Sequence, residues 1–178
     1  MGKLKTVKTL HKGHRSRILL VKRGHKLCVW KRPAGHGREE SIRKQLKRIK
    51  QWKKFGLSKV KAKWYKDGIL KTYVKGKNLK QIIKKRKHFF SKKSKELKAL
   101  EKLITNLIKS GHFIHDLKGL NMIYDGKIWQ LIDSGPIYKK SKSSVKKEYQ
   151  KILYIKWSKY LSAGGKSDLK KFLKKVID

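Results

Sequence analysis

Residues 113–126 read FIHDLKGLNMIYDG and set an aspartate, a lysine and an asparagine at offsets of zero, two and five: Asp116, Lys118 and Asn121. A second aspartate, Asp133, follows in LIDSG at 131–135. Carboxylate and amide oxygens can together hold a hard cation, and a carboxylate can take a proton from a reacting hydroxyl. The chain has only 11 acidic residues against 52 Lys and Arg, so each acid can be asked what it is for. Asp67 and Asp125 precede glycine in turn sequences, and Asp178 is the last residue. Asp168 falls in the first turn of a helix expected from Ser167, where the helix dipole favours an anion. Glu96, Glu101 and Glu148 have lysines nearby on expected helices and are read as solvated. Glu39, Glu40, Asp116 and Asp133 have no such structural role. Asp116 lies in a non-periodic loop and Asp133 at the end of an apolar strand, and loop carboxylates set between rigid elements are where chemistry usually sits.

The elements that must position them follow from periodicity. SRILLVKR and KLCVWKR flank Arg23-Gly24-His25 and read as a hairpin. GREESIRKQLKRIKQWKK reads as a helix with Ile42, Leu46 and Ile49 on one stripe, stopped by Gly56. VKAKWY and ILKTYV flank Asp67-Gly68, a type I′ pair for a second hairpin. GKNLKQIIKK reads as a connection into a helical part. The helix SKELKALEKLITNLIKSG can be capped by Ser91 or Ser94, presents Leu97, Leu100, Leu103, Ile104, Leu107 and Ile108 on one face, and ends at Gly111. Two short strands, NMIY and KIWQLID, are joined by Asp125-Gly126. The tail holds a helix over about 144–162 and another from Ser167, and the low-complexity run KKSKSSVKK at 139–147 is expected to be mobile. This is an α+β pattern: a sheet-rich first lobe over 1–76, then a helical second lobe over 77–178.

Composition bounds the partners. A length of 178 residues suits one domain or two small lobes sharing a cleft. With 38% hydrophobic residues, including five Trp and seven Tyr, a real core is expected. A formal net charge of +41 points to anionic partners: nucleic acid, acidic lipid or phosphorylated glycan. The lone cysteine, Cys28, precludes an internal disulfide and reads as a buried strand thiol. The seven histidines lack zinc-ligand spacing. MGKLKTVKTLHKG has no apolar core for a signal peptide, and no stretch approaches the roughly 20 apolar residues of a membrane span. A cytoplasmic protein is expected, with the inner membrane face open as a peripheral site.

These residues carry a resemblance. IHDLKGLN at 114–121 resembles the catalytic loop of protein kinases, HRDLKxxN, and LIDSG resembles the strand and DFG segment that follow it. CVWK resembles the VAIK strand, REESI the helix that supplies its pairing glutamate, and TYVKGKNL the linker between lobes. The resemblance spans about residues 10–160 and implies a two-lobed minimal kinase-like fold, with an antiparallel sheet in the N-lobe and a reduced helical C-lobe. It implies ATP and Mg²⁺. Asp116 would accept the proton of the acceptor hydroxyl, Lys118 would sit by the γ-phosphate, and Asn121 and Asp133 would hold metal. Lys31 would grip the α/β-phosphates, oriented by Glu39, whose offsets of three and seven reach Ile42 and Leu46, with Glu40 the close second.

The chain departs from the pattern in several places. Its phosphate loop, LHKGHRSR, has only Gly13, with His14, Arg15 and Ser16 as side-chain donors. Ile114 and His115 replace the usual histidine and arginine, Ser134 replaces the DFG phenylalanine, and no APE segment follows. Regulation by activation-loop phosphorylation is therefore not expected. Among small atypical kinases, GKIWQLIDSG followed by a basic helix is most similar to the bacterial lipopolysaccharide core (Kdo/heptose) kinases, which implies a sugar hydroxyl on an anionic glycolipid at the inner membrane face. A RIO-type serine/threonine kinase with a protein acceptor stays open. So do a pseudokinase and a basic module that binds nucleic acid non-specifically. A monomer is expected.

Overall fold

The computed structural model describes residues 3–14, 16–35, 38–133 and 135–177. It is α+β and divides into two compact units, Met1–Val74 and Lys75–Asp178. Among the described residues no helix is long and apolar enough to cross a membrane.

The first unit is a five-stranded antiparallel sheet with one helix. Its strands are β1 (Leu4–Lys12), β2 (Ser16–Arg23), β3 (Lys26–Pro33), β4 (Ala62–Tyr65) and β5 (Gly68–Thr72), in the order β1-β2-β3-β5-β4. The β2–β3 turn is the expected one: Arg23 pairs with Lys26 across Gly24-His25, and Gly24 takes φ 56°, as a tight two-residue hairpin demands at its first central position. The second hairpin turns one residue earlier than its sequence suggests. Tyr65 pairs with Gly68, so the turn is Lys66-Asp67, and Lys66 adopts φ 52°. Gly68 instead opens β5, where a Cβ would stand 2.2 Å from the Lys31 carbonyl oxygen. The glycine is needed for strand approach, and the turn conformation falls to lysine. Asp67 is no mere turn residue either: its Oδ2 accepts from Arg32 Nε at 2.8 Å.

Helix α1 (Glu39–Lys54) covers one face of this sheet with Ile42, Gln45, Ile49 and Trp52. Gln45 takes the buried position that the sequence stripe assigned to Leu46, which is half-buried. Gly56, at φ 68°, follows the helix and stops it. Arg43 of α1 lies 4.0 Å from the Trp64 ring centroid, a cation–π contact that marks the helix-covered face of β4. Cys28 is half-buried, not enclosed. Strand β1 has no counterpart in the sequence reading. Its apolar residues recur every three positions (Leu4, Val7, Leu10), which matches no strand period. Two irregularities of register, between Thr6 and Lys8 and between Thr9 and His11, absorb the extra residues as bulges.

The second unit begins with β6 (Lys77–Asn78) and α2 (Leu79–Lys85). The run expected as a connection is thus a helix, started by a capping box: Asn78 Oδ1 accepts from Gln81 N and Gln81 Oε1 from Asn78 N, both at 2.9 Å. Helix α3 (Lys95–Lys109) is capped by Ser94, whose Oγ accepts from Leu97 N at 3.1 Å, and Gly111 at φ 67° follows its end. Strands β7 (His112–Ile114), β8 (Met122–Tyr124), β9 (Trp129–Leu131) and β10 (Ile137–Lys139) form two small sheets, β6-β8-β9 and β7-β10. β9 stops before Asp133, which lies in the bend after it.

Helices α4 (Lys142–Ser158) and α5 (Ala163–Ile177) complete the unit. KKSKSSVKK is ordered, contrary to its composition: Lys139 ends β10, Ser141 caps α4, and Val145 is fully buried. Helix α5 starts four residues earlier than expected, which moves Asp168 out of the first turn. Its Oδ2 meets His88 Nδ1 at 3.0 Å instead, so it serves a tertiary hydrogen bond in place of the helix dipole. Glu96 is also not simply solvated, since it pairs with Arg86 at 3.1 Å. The core of this unit is aromatic at one end, where Phe90 meets Phe89, Trp157 and Phe172. Arg15, Ser134 and Asp178 lie outside the described residues.

Gly68→Ala should destabilise the protein by about 1–3 kcal/mol, because the methyl meets backbone that cannot turn aside. Gly35→Ala, where nothing lies within 4 Å, should be neutral in the same urea titration. Equal midpoints for the two variants would show that β3 and β5 do not need this close approach.

Candidate functional site

The loop after β7 is built around unmet backbone groups. A non-repetitive loop cannot satisfy its own peptide N–H and C=O groups, and buried ones must find partners. Here α4 supplies them. Its buried residues Val145, Tyr149, Leu153 and Trp157 recur every four positions and are all fully buried. The Tyr149 hydroxyl accepts from Ile114 N at 2.9 Å and donates to the His112 carbonyl at 3.1 Å. Burial pushes the Tyr149 phenol well above its usual range, so it stays protonated and able to do both. Trp157 Nε1 donates to the Leu117 carbonyl at 3.1 Å. Between these anchors, Lys156 Nζ donates to the His115 carbonyl at 2.6 Å and to Asp116 Oδ1 at 3.1 Å.

Asp116 is thus fixed from both sides. Its Oδ1 also receives Lys118 Nζ at 3.1 Å, so one carboxylate oxygen is shared by two ammonium groups. Partial burial opposes ionisation. The hydrogen bonds and charges of Lys156 and Lys118 together outweigh it and hold the Asp116 carboxyl below its ordinary value. The backbone then turns tightly, with Lys118 N bonded to the Asp116 carbonyl and Asn121 N to the Lys118 carbonyl, both at 2.9 Å. Asn121 Nδ2 donates to the Asp116 carbonyl at 3.3 Å, which commits the amide's nitrogen to the loop.

The Asp133 segment docks on the same loop. Ile132 N donates to the Asn121 carbonyl at 2.9 Å, and a Cβ on Gly135 would lie 3.3 Å from Asp116 Cβ and 3.4 Å from Asp116 N. Asp116, Lys118 and Asn121, separated from Asp133 by a hairpin, are therefore neighbours in one place. That hairpin is closed by Asp125, whose Oδ1 accepts from Lys127 N and Ile128 N at 2.9 Å and whose Oδ2 accepts from Gln130 Nε2 at 2.9 Å.

The other candidates belong to the first unit. Lys31 is half-buried on β3 and pairs in register with Ile18 and Ile69. Ile69 in turn pairs with Trp64, so side-chain alternation puts Lys31 on the sheet face that α1 covers. Glu39 opens α1 and is exposed, while Glu40 pairs with Lys44 one turn along the helix, at 2.7 Å. Gly13 sits in the β1–β2 turn, its N–H donating to the Ser16 carbonyl at 3.1 Å. A Cβ there would lie 2.6 Å from His11 Nε2.

Lys156 was not visible as a site residue in the sequence. It is one of 52 basic residues, and nothing in its spacing separates it from its neighbours. Only the fold brings it to Asp116, where its side chain is 18% exposed. Among the described residues no group of three or more His, Cys, Asp or Glu could hold a metal ion. No protein-family model matches the chain, and no curated protein matches it in sequence.

The depressed pKa has a signed consequence. A carboxylate whose folded pKa is lowered stabilises the fold above its unfolded value, and this contribution fades as pH falls through the folded value. The melting-temperature advantage of wild type over Asp116→Asn should therefore hold near neutrality and shrink below about pH 4. With Lys156→Ala in both backgrounds, the advantage near neutrality and the part of it lost at low pH should both be smaller, since one lowering partner is gone and burial remains. An advantage that does not change with pH would mean that Asp116 is not held as an ion by these lysines.

Proposed function

We propose that the chain is an ATP-dependent phosphotransferase with an alcohol group as acceptor, built on a two-lobed, minimal protein-kinase-like fold. The observation that carries this reading is the assembly of Asp116, Lys118, Asn121 and the Asp133 segment into one pinned cluster. A structural loop needs backbone anchors. It does not need a carboxylate, an amide and a second acidic segment converging beside them. The first unit supports the same reading with a five-stranded antiparallel sheet, a single covering helix and Lys31 on the covered face.

In the proposed reaction, the acceptor hydroxyl oxygen bonds to the γ-phosphorus, the bond from that phosphorus to the β,γ-bridging oxygen breaks, and the hydroxyl proton passes to Asp116. The lowered pKa makes Asp116 a weak base. That suits a loose transition state, in which the nucleophile need not be deprotonated early and the carboxylate mainly orients the hydroxyl. Lys118 offsets charge that develops on the transferred group, and Lys31 holds the α/β-phosphates. Of the two glutamates considered as its partner, Glu39 is the better one, because Glu40 is engaged by Lys44. Asn121 and Asp133 offer hard oxygen donors of the kind Mg²⁺ uses alongside substrate phosphates. Bound there, the cation would neutralise phosphate charge.

The acceptor that best suits the charge of +41 is a sugar hydroxyl of a lipopolysaccharide core at the inner membrane face. A serine/threonine protein acceptor, as for RIO-type kinases, is the alternative. One observation favours a different reading, a pseudokinase: Asp116 Oδ1 is already shared by two lysines and could be a purely structural ion cluster. A basic nucleic-acid-binding module would explain the charge, though not the cluster.

Two measurements separate these readings. ATP should raise the melting temperature only with Mg²⁺ present, corresponding to about 2.7 kcal/mol at 100-fold saturation. No shift would sink the nucleotide site. Asp116→Asn should then lower transfer of labelled γ-phosphate by about 10²- to 10⁴-fold with nucleotide binding nearly unchanged. Asp133→Asn should weaken Mg²⁺-dependent binding as well. Wild-type turnover by Asp116→Asn would make IHDLKGLN a structural loop. Nucleotide binding without any transfer by the wild-type chain would favour the pseudokinase.

A further inference from the structure

Strand β1 stands apart energetically from the rest of its sheet. It runs for nine residues, yet eight are exposed and the first is only half-buried, so it adds hydrogen bonds to β2 and almost nothing to the core. An edge strand of this length is a liability unless its exposed groups are managed. Lysines and bulges are the usual means, and β1 has both: Lys5, Lys8 and Lys12 lie on the strand, and Lys3 precedes it. Two residues do not fit a purely protective edge. Val7 and Leu10 fall at the register irregularities, without a Cα partner on β2, and are 52% and 42% exposed. Bulges re-aim side chains, and here an exposed apolar pair occupies them amid lysines.

The charge around this pair has one sign. From residue 1 to 38 the sequence contains no Asp or Glu, and the first acid is Glu39. A surface that offers ammonium groups around two aliphatic side chains complements a layer with anionic headgroups above an apolar interior. It is a poorer match for single-stranded nucleic acid, which is bound by aromatic platforms, and β1 has no aromatic residue apart from His11.

We propose that β1 is a docking strand for an anionic lipid bilayer, with Lys5 and Lys8 engaging headgroups and Val7 and Leu10 entering the layer between them. The proposal does not depend on phosphate transfer, and neither result below bears on turnover.

The test is sedimentation of the full chain, without nucleotide, with vesicles of phosphatidylcholine alone and with vesicles in which about a third of the lipid is phosphatidylglycerol. The wild type should bind only the anionic vesicles. Val7→Ser/Leu10→Ser should weaken that binding by about tenfold. Lys5→Glu/Lys8→Glu should weaken it by at least fivefold per lysine, a rough scale for one cation at a charged surface. Lys170→Glu/Lys174→Glu, an equal charge change at exposed positions of α5, should have a much smaller effect. Melting temperatures near wild type certify the folds, and Lys5→Ala/Lys8→Ala gives a milder reading in the same direction if the reversal unfolds the sheet. The proposal is overturned if the serine pair binds like wild type, or if the α5 pair loses as much as the β1 pair. It is also overturned if the β1 variants lose binding to single-stranded RNA while vesicle binding is unchanged.

Discussion

The candidate site depends on helix α4 reaching across to a loop that cannot hold itself. Tyr149, Lys156 and Trp157 donate to the carbonyls of His112, His115 and Leu117, and Tyr149 also accepts from Ile114 N. Each bond closes a peptide group that neither β7 nor the turn at Lys118 satisfies. The helix can do this only because its buried stripe repeats every four residues. At 3.6 residues per turn, each step of four advances the stripe by about 40°, so successive anchors meet the loop at successive points. If α4 were displaced, several buried polar groups would be stranded together, at about 1–3 kcal/mol each. The loop and the helix therefore stand or fall as one unit.

The same arrangement sets the electrostatics of Asp116. An aspartate brought partly out of water among apolar residues would protonate more readily. Two ammonium groups on one oxygen reverse that tendency and keep the group anionic. Lys156 is bound at two points, a carbonyl and the carboxylate, so it is a fixed charge. Lys118 is more exposed and belongs to the loop itself, so it can change partner when an anion arrives. In the proposed reaction this division would let one cation position the carboxylate while the other meets the transferred phosphate.

Acid is scarce in this chain, and the structure spends it at junctions. Asp67 ties the β4–β5 turn to β3 through Arg32, Glu96 ties the start of α3 to Arg86 after α2, and Asp168 ties α5 to His88. Partly exposed polar contacts of this kind contribute little one at a time. Their value in a chain of net charge +41 is local relief of repulsion where elements meet. The stretch with no acid at all, before Glu39, is also where the sheet carries a strand that adds almost nothing to the core.

Local chemistry alone identified much of this protein. The α1 and α3 helices, the β2–β3 hairpin and a serine cap for α3, Ser91 or Ser94, follow from side-chain period and from residues whose short side chains or positive φ mark an end. Asp116 and Asp133 stood out, with Glu39 and Glu40, because acid is rare and these residues had no turn or helix to serve, and Lys118 and Asn121 joined them by spacing and by resemblance to a kinase catalytic loop. What escaped was decided across distance. The β1 strand has no period of two, because two bulges absorb its misfit, and KKSKSSVKK looks mobile until a single buried valine starts the α4 stripe. Gly68 is required by the carbonyl of Lys31, a residue 37 positions away. Lys156 gained its role only when α4 packed on the loop. Chain-local rules see propensity and spacing, whereas a packed interior decides which donor meets which carbonyl, and a lysine among 52 acquires its meaning from that meeting.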